Sequence, residues 1–157
     1  MGRKSTRSLV LGFLAGLLLV GLSTPSKGTH DDPCSHETIG VITNVYGTNA
    51  GQTCDGSSGE DHMWAYGGAD FFLGLAGPDE MHGGAGDDRL KGNEGDDRPM
   101  RDDSTGDDDR LCGGRHDDFI DIRDGDTRDR GFGSGGADTG QNDPGEPAVN
   151  LTASCPF

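Results

Sequence analysis

Apolar residues follow two different patterns along this chain. Residues 9–22 form one continuous apolar run. Beyond it, large apolar residues are sparse. A series of them recurs singly at intervals of nine residues, at Cys54, Met63, Phe72, Met81 and Leu90. Such a fixed interval indicates a repeated structural unit. Each unit predicts a short strand with one inward-pointing side chain, and stacked units would share a continuous core.

The continuous run is typical of a secretory signal peptide. The basic residues Arg3, Lys4 and Arg7 precede it, and small or polar residues follow from Ser23. Its 14 residues fall short of the about 20 that a membrane-spanning helix needs. This order predicts a signal helix within residues 1–27 that directs export, so the mature protein is predicted to be secreted.

Glycine and aspartate accompany the apolar period. Blocks of nine that begin at Gly47 have a fourth-position glycine in five consecutive copies, at Gly59, Gly68, Gly77, Gly86 and Gly95. The sixth residues of these copies are Asp61, Asp70, Asp79, Asp88 and Asp97. Glycine allows a tight turn with φ > 0 that exposes carbonyl oxygens, and aspartate adds a carboxylate. Hard divalent cations prefer these ligands, so the turns are candidate metal sites.

The first block and the end of the series depart from this pattern. Ala50 and Gln52 replace the glycine and the aspartate of the first block, which predicts a cap rather than a site. Pro99 lies at an inward strand position, where it has no N–H to donate. Together with the extra residues 101–103, it predicts a break or a bulge.

The register resumes beyond this insertion and then degrades. Asp109 and Asp118 are the sixth residues of two further blocks. In the following block the sixth residue is Thr127, which predicts a turn that binds no metal. A last copy has Asp138 at its sixth position.

Composition restricts the class of protein. The 157 residues carry a formal net charge of −15, 29 glycines and 30% hydrophobic residues. The negative charge argues against binding to nucleic acid and, after removal of the leader, against binding to anionic membranes. Burial of so few apolar side chains does not offset the entropy lost on ordering the chain. Metal ions or disulfides must contribute, or the chain is an acidic disordered secreted protein.

Four cysteines lie beyond the leader: Cys34, Cys54, Cys112 and Cys155. An even number in an exported protein favours two disulfides, for which three pairings exist. The pairing Cys34–Cys54 and Cys112–Cys155 is favoured because each bond would tie a terminal segment to the middle of the chain. Free buried thiols and a zinc site with His36 and His116 are the alternatives.

The block GGAGDDRLK (83–91) resembles the hemolysin-type calcium-binding repeat, the RTX nonapeptide GGxGxDxUx, at every position. The resemblance extends over residues 47–121. It implies an all-β fold, a parallel β-roll that is a right-handed β-solenoid with two nonapeptides per coil. It also implies roughly four to six Ca²⁺ ions, each between neighbouring turns on one side of the roll.

The calcium ligands that the resemblance implies are aspartate side chains and turn backbone. The turn glycines would be Gly59, Gly68, Gly77, Gly86 and Gly95. One side would hold Asp61, Asp79 and Asp97; the other would hold Asp70, Asp88 and Asp109, with Asp118 continuing the stack.

These predictions divide the chain into four parts. Residues 1–27 are the signal peptide, and residues 28–46 are a polar segment with a strand that covers the open end of the roll. Residues 47–121 are the calcium-binding roll, and residues 122–157 are degenerate repeats with an irregular glycine- and proline-rich tail.

The predicted function is that of a secreted calcium-binding module with a structural or interaction role and an unknown protein or surface partner. It is not predicted to be an enzyme, since the sequence has neither HExxH nor GxSxG. The alternatives are an accessory fragment associated with a toxin or a hydrolase, and an acidic disordered secreted protein.

Overall fold

The computed structural model describes residues 33–157. The predicted signal peptide and its helix lie outside these residues. The regular structure of the described part consists of twelve β-strands. They are β1 (Ser35–Ile39), β2 (Ile42–Tyr46), β3 (Thr53–Asp55), β4 (Asp61–Trp64), β5 (Phe71–Ala76), β6 (Glu80–His82), β7 (Arg89–Glu94), β8 (Met100–Arg101), β9 (Arg110–Arg115), β10 (Phe119–Ile122), β11 (Arg130–Gly135) and β12 (Thr139–Asn142). Among the described residues, no helix has the length and apolar character that membrane crossing requires.

The strands form two sheets, and the chain alternates between them. One sheet has the order β1-β2-β4-β6-β8-β10-β12, and the other has the order β11-β9-β7-β5-β3. From β2 onward every neighbouring pair within a sheet is parallel. The chain therefore winds into a parallel β-solenoid of about five turns, as predicted.

The length of one coil sets the pairing register. Phe71 pairs with Arg89, 18 residues later, which is two nonapeptides. Beyond this point the coils are longer, since Arg89 pairs with Arg110 and Arg110 with Arg130. Met100, and not Pro99, pairs with Met81. Pro99 is thus an extra residue at the predicted irregularity.

The eighth residues of the repeats form the core between the two sheets. Those with no exposed surface are Cys54, Met63, Phe72, Met81, Leu90, Leu111 and Ile120. Full burial of one large apolar side chain contributes roughly 1.5–3 kcal/mol. A single coil has only two such residues, so the core becomes continuous only when coils stack.

The segment before the first repeat forms a hairpin rather than a single strand. β1 and β2 pair antiparallel around Gly40, which has φ +72°, and Val41. β2 is parallel to β4 and continues the solenoid. β1 is thus the edge strand of the seven-stranded sheet and pairs with β2, whose backbone groups would otherwise be unpaired.

Residues 122–157 contain two further strands before the chain becomes irregular. Gly131 of β11 pairs with Leu111, and Gly140 of β12 pairs with Ile120, at positions where other coils have large apolar residues. A Cβ atom at Gly131 or Gly140 would approach the Val149 side chain to 2.9 Å or 2.7 Å. Val149, from the segment after β12, therefore fills the core at this end.

Both predicted disulfides are present. Cys34 is bonded to Cys54 and Cys112 to Cys155, with a Cα–Cα distance of 5.8 Å in each pair. The second bond holds the C-terminal segment against the outer side of the five-stranded sheet. There the Lys91 ammonium donates a hydrogen bond to a main-chain oxygen of Phe157 at 3.0 Å.

Candidate metal sites

The sixth-position aspartates form two ladders, each of which runs along one edge of the solenoid. Each aspartate lies where a strand begins: Asp61 is the first residue of β4, and Asp70 immediately precedes β5. The first ladder consists of Asp61, Asp79, Asp97, Asp118 and Asp138. The second ladder consists of Asp70, Asp88, Asp109 and Asp129. The structure thus distributes the predicted aspartates between two sides as the sequence implied, with Asp118 on the first.

One carboxylate oxygen of each ladder aspartate is used in joining the coils. The backbone N–H of Asp61 donates to Oδ1 of Asp79 at 3.0 Å, and that of Asp79 donates to Oδ1 of Asp97 at 3.0 Å. The second ladder repeats this bond from Asp70 to Asp88 at 2.8 Å. Each aspartate therefore holds the turn of the preceding coil in place.

The other carboxylate oxygen has no partner among the described residues. Oδ2 is buried without a hydrogen bond in Asp70, Asp79, Asp88, Asp97, Asp109, Asp118, Asp129 and Asp138. Asp61 differs, because its Oδ2 accepts the backbone N–H of Ser57 at 2.6 Å. A buried charged oxygen without a partner is costly. Its repetition at equivalent positions indicates that a cation completes these sites.

The pKa values of the ladder aspartates also indicate that a cation completes these sites. Burial, together with the negative charges of Asp97 and Asp61, raises the pKa of Asp79 from 3.8 to about 8. Burial raises the pKa of Asp88 to about 8 despite a hydrogen bond from the Asp70 backbone. Without a cation these carboxyl groups favour the protonated form near neutral pH. A divalent cation would remove both the repulsion and the desolvation penalty.

Glycine at the first position of a repeat leaves room for the ladder carboxylate. A Cβ atom at Gly74 would overlap Oδ2 of Asp79, and one at Gly92 would overlap Oδ2 of Asp97. The first position must therefore be glycine at these repeats, because a larger residue would overlap the aspartate side chain five residues later.

Glycine at the fourth position lets neighbouring turns approach. Gly95, with φ +151°, lies so close to the backbone of Gly77 that a Cβ atom would clash with it. Gly68, Gly77 and Gly86 share this left-handed conformation and this close approach. Gly59 is the exception, because a Cβ there would lie 3.7 Å from the nearest atom, the Val41 carbonyl oxygen.

The ladders contain one aspartate that the nine-residue spacing did not predict. The prediction of Thr127 as a sixth residue is wrong, because Asp129 occupies the ladder and receives the N–H of Asp109 at 2.8 Å. Two extra residues in this coil displace the register. The dipeptide Asp-Arg at 109–110 recurs at 129–130, and that recurrence is the signal that locates Asp129.

The second ladder ends in residues other than aspartate. The Gln52 N–H donates to Oδ1 of Asp70 at 2.7 Å, while the Gln52 side chain donates to Thr48 and to the Ala50 carbonyl. Gln52 thus closes the first turn with its own amide, in keeping with the predicted cap. At the other end the Asp129 N–H donates to Oε1 of Glu146 at 3.3 Å. No sequence pattern indicated Glu146.

The comparison with known families agrees with this geometry. The family model described as RTX calcium-binding nonapeptide repeat (4 copies) matches residues 46–81 and 73–98. Residues 46–98 are RTX repeats. No similar curated protein and no similar solved structure was found.

The RTX repeats make up the regular part of the roll, but the ladders extend beyond them. Asp109, Asp118, Asp129 and Asp138 follow the matched residues and still accept the N–H of the ladder residue one coil earlier. The structural equivalence of the turns therefore continues where the nine-residue spacing does not.

The residues present fit calcium. RTX repeats bind this ion. The turns offer buried carboxylate oxygens and backbone carbonyls, which are the ligands that Ca²⁺ prefers. Softer metals prefer thiolate ligands, and the four cysteines are joined in disulfides. The RTX turns would hold the ion between successive aspartates of one ladder.

Proposed function

We propose that this chain is an exported protein whose roll binds several calcium ions in its turns and acts as a structural or interaction module. The observation that carries the proposal is the repeated Oδ2 atom, buried and without a partner, in eight aspartates at equivalent positions of the two ladders. Protons or cations must neutralise these groups for the roll to be stable, and calcium is the cation that suits the donor set.

The number of ions follows from the number of neighbouring turns. Within residues 33–157 the first ladder has four neighbouring pairs of aspartates and the second has three. The sequence predicted four to six ions, and the ladders set an upper bound of seven for sites between aspartates. Each ion bridges two coils, so occupancy of one site favours the next, and folding is cooperative in calcium.

Two features support an exported structural role. The apolar run of residues 9–22, which follows basic residues, has the order of a secretory leader, and both cysteine pairs are disulfide-bonded, as suits an oxidising compartment. Extracellular calcium modules bind at roughly 10⁻⁴–10⁻³ M. The chain would then be unfolded where calcium is scarce and folded outside the cell.

A calcium titration of the full-length chain, followed by far-UV circular dichroism, tests the proposal. We expect a cooperative transition from coil to β-structure near 1 mM Ca²⁺, on the order of the weakest extracellular sites, and a much weaker response to Mg²⁺. Asp79→Ala removes a carboxylate shared by two turns and should raise the calcium midpoint roughly tenfold, since affinity follows the charge of the ligand set.

The control is Asp87→Asn, which removes an exposed charge beside ladder residue Asp88 but keeps the Oδ1 that accepts the Asp108 N–H at 3.1 Å. We expect its calcium midpoint to equal that of the unaltered chain. A chain that shows no calcium-dependent β-structure at about 10 mM, an excess over the expected affinities, would contradict the proposal.

A further inference from the structure

The longer coils carry acidic loops that the regular repeats lack. Residues 123–129 connect β10 to β11, in a coil that has two extra residues relative to a pair of nonapeptides. This loop rests on the equivalent loop of the preceding coil, because the Gly106 N–H donates to Oδ2 of Asp126 at 2.6 Å. On its other side, the N–H groups of Asp124 and Gly125 donate to Oδ2 of Asp143 at 3.0 Å and 2.6 Å.

Four carboxylates converge at this loop. Asp124 and Asp126 belong to the loop itself, Asp129 belongs to the second ladder, and Glu146 comes from the segment after β12. One carboxylate oxygen from each lies within 4.8 Å of those of the other three. This spacing places all four oxygens within reach of one cation, given calcium–oxygen distances of about 2.3–2.6 Å.

Burial and missing partners distinguish this cluster from an exposed acidic patch. Asp129 has 0% exposure and Glu146 has 8%. Oδ2 of Asp129 and Oδ2 of Asp124 are both buried without a hydrogen-bond partner. The ion pairs do not neutralise the group, since Arg123 pairs with Asp121, and Arg128 reaches only Asp126, at 3.4 Å.

We propose that Asp124, Asp126, Asp129 and Glu146 form a calcium site that differs from the repeat turns. It uses four side-chain carboxylates, whereas a site between two repeat turns would use two aspartates and backbone carbonyls. The donors are all oxygen, which excludes a preference for zinc or copper. Several carboxylates on loops suit the variable geometry of Ca²⁺ better than the strict octahedron of Mg²⁺.

This site would close the C-terminal end of the roll. Glu146 accepts the N–H of Asp129 at 3.3 Å and that of Asp143 at 2.8 Å. An ion held by Glu146 and Asp129 therefore ties the segment after β12 to the last coil. The same segment carries Val149, which covers Gly131 and Gly140 in the core. Calcium would then hold the Val149 side chain in its position over these two glycines.

The choice of calcium as the ion in this site rests on the proposed function. A measurement on separate segments of the chain distinguishes a failure of this site from a failure of the proposed function. Hydrogen–deuterium exchange of the full-length chain is measured with and without Ca²⁺, for peptides from residues 59–98 and from residues 122–150. The number of bound ions is measured by equilibrium dialysis. We compare the chain with Asp124→Asn, which keeps the Oδ1 that accepts the Asp126 N–H at 2.9 Å.

We expect Asp124→Asn to bind one ion fewer near 1 mM Ca²⁺, or to bind it roughly tenfold more weakly, because one ligand charge is lost. Calcium should slow exchange in residues 122–150 less in this variant than in the unaltered chain. Residues 59–98 should respond equally in both. The control Asp96→Asn neutralises an exposed aspartate outside the cluster, and it should behave as the unaltered chain.

Equal ion counts and equal protection of residues 122–150 in Asp124→Asn and the unaltered chain would overturn this site, whatever residues 59–98 do. If residues 59–98 ignore calcium while residues 122–150 respond and Asp124→Asn weakens that response, this site stands and the proposed function of the repeats falls.

Discussion

The regular half of the roll, residues 47–98, and the irregular half, residues 99–157, reach the same backbone arrangement by different means. In the regular half neighbouring strands are 18 residues apart, and in the irregular half the spacing is 19 to 21. Both halves nevertheless place a buried aspartate at the start of each ladder strand. The ladder is thus maintained by strand pairing and by the bond from N–H to Oδ1, and not by the count of residues in each loop.

The two halves differ in how they fill the core. The regular half supplies it from within each repeat, for example with Phe72 and Leu90, both fully buried. The irregular half also has Leu111 and Ile120, but its last coil has Gly131 and Gly140 at these positions, where Val149 from a later segment fills the core. The repeats of the regular half contain their own core residues, whereas the last coil depends on the segment that covers it.

The largest effect we expect is a reversal of pH dependence by calcium, which acts on both halves. In the metal-free roll, burial raises the pKa of Asp79 to about 8 in the regular half and that of Asp102 to about 9 in the irregular half. These values exceed the 3.8 of an ordinary aspartate. The folded state therefore binds more protons than the unfolded state between these pH values, so its stability is greatest below about pH 4 and is lost as pH rises through 8.

Calcium binds the ionised form and reverses this trend. Circular dichroism of the full-length chain in metal-free buffers should show more β-structure at pH 5 than at pH 8. With excess calcium the order should be the opposite, because protons then compete with the ion. Equal β-content at pH 5 and pH 8 without metal would mean that the ladder carboxylates are not buried in the metal-free chain.

Because the two halves fill the core differently, truncating a core side chain should lower the free energy of unfolding by different amounts in each half. Phe72→Ala should lower the free energy of unfolding by about 3–5 kcal/mol, because it leaves a cavity in the regular core. Val149→Ala removes a smaller, half-buried side chain and should cost about 1 kcal/mol. Urea denaturation with saturating calcium measures both. A larger loss for Val149→Ala would show that the cover of the last coil, and not the repeat core, limits stability.

The two disulfides allow a test of how far each half depends on cross-links. Cys112–Cys155 closes a loop of 43 residues, and Cys34–Cys54 closes one of 20. Replacing the first pair by alanine should cost about 3–4 kcal/mol, and replacing the second should cost slightly less, since loop entropy grows slowly with length. Urea denaturation of the two double variants compares them. A greater loss without Cys34–Cys54 would mean that the N-terminal hairpin stabilises the roll more than the C-terminal segment does.

The regular half could be predicted from the sequence because each of its features repeats. Gly77, Asp79 and Met81 recur at fixed offsets, and each type of residue has one physical role, so the period revealed the turns, the ladders and the core. The irregular half offered no such redundancy. Asp129 was missed because two inserted residues moved it out of register, and Glu146 and Val149 because they reach the roll through tertiary contacts alone.

A backbone feature common to both halves gives the smallest expected effect. The second residue of a repeat has a left-handed conformation in both: φ is +81° at Leu75 and +72° at Tyr66 in the regular half, and +87° at Ser134 in the irregular half. Glycine occupies this position only at some repeats, such as Gly84 with φ +88°. A bulky residue is strained there by about 1–2 kcal/mol, and Leu75 is 41% exposed. Leu75→Gly therefore relieves strain but also removes the buried part of an apolar side chain.

The gain from Leu75→Gly is reduced by the greater freedom of glycine in the unfolded chain, which costs roughly 0.5–1 kcal/mol. We expect Leu75→Gly to change the free energy of unfolding by less than about 0.5 kcal/mol in urea denaturation with calcium, because the relief of strain offsets the entropic cost and the lost burial. Val41→Gly is the control, since Val41 is 84% exposed and lies outside the left-handed region. It should destabilise by roughly the same entropic cost. If both variants destabilise equally, the left-handed turn is not strained at Leu75, and the glycine of the family pattern serves at this position to admit the neighbouring backbone, as Gly84 does against Tyr66.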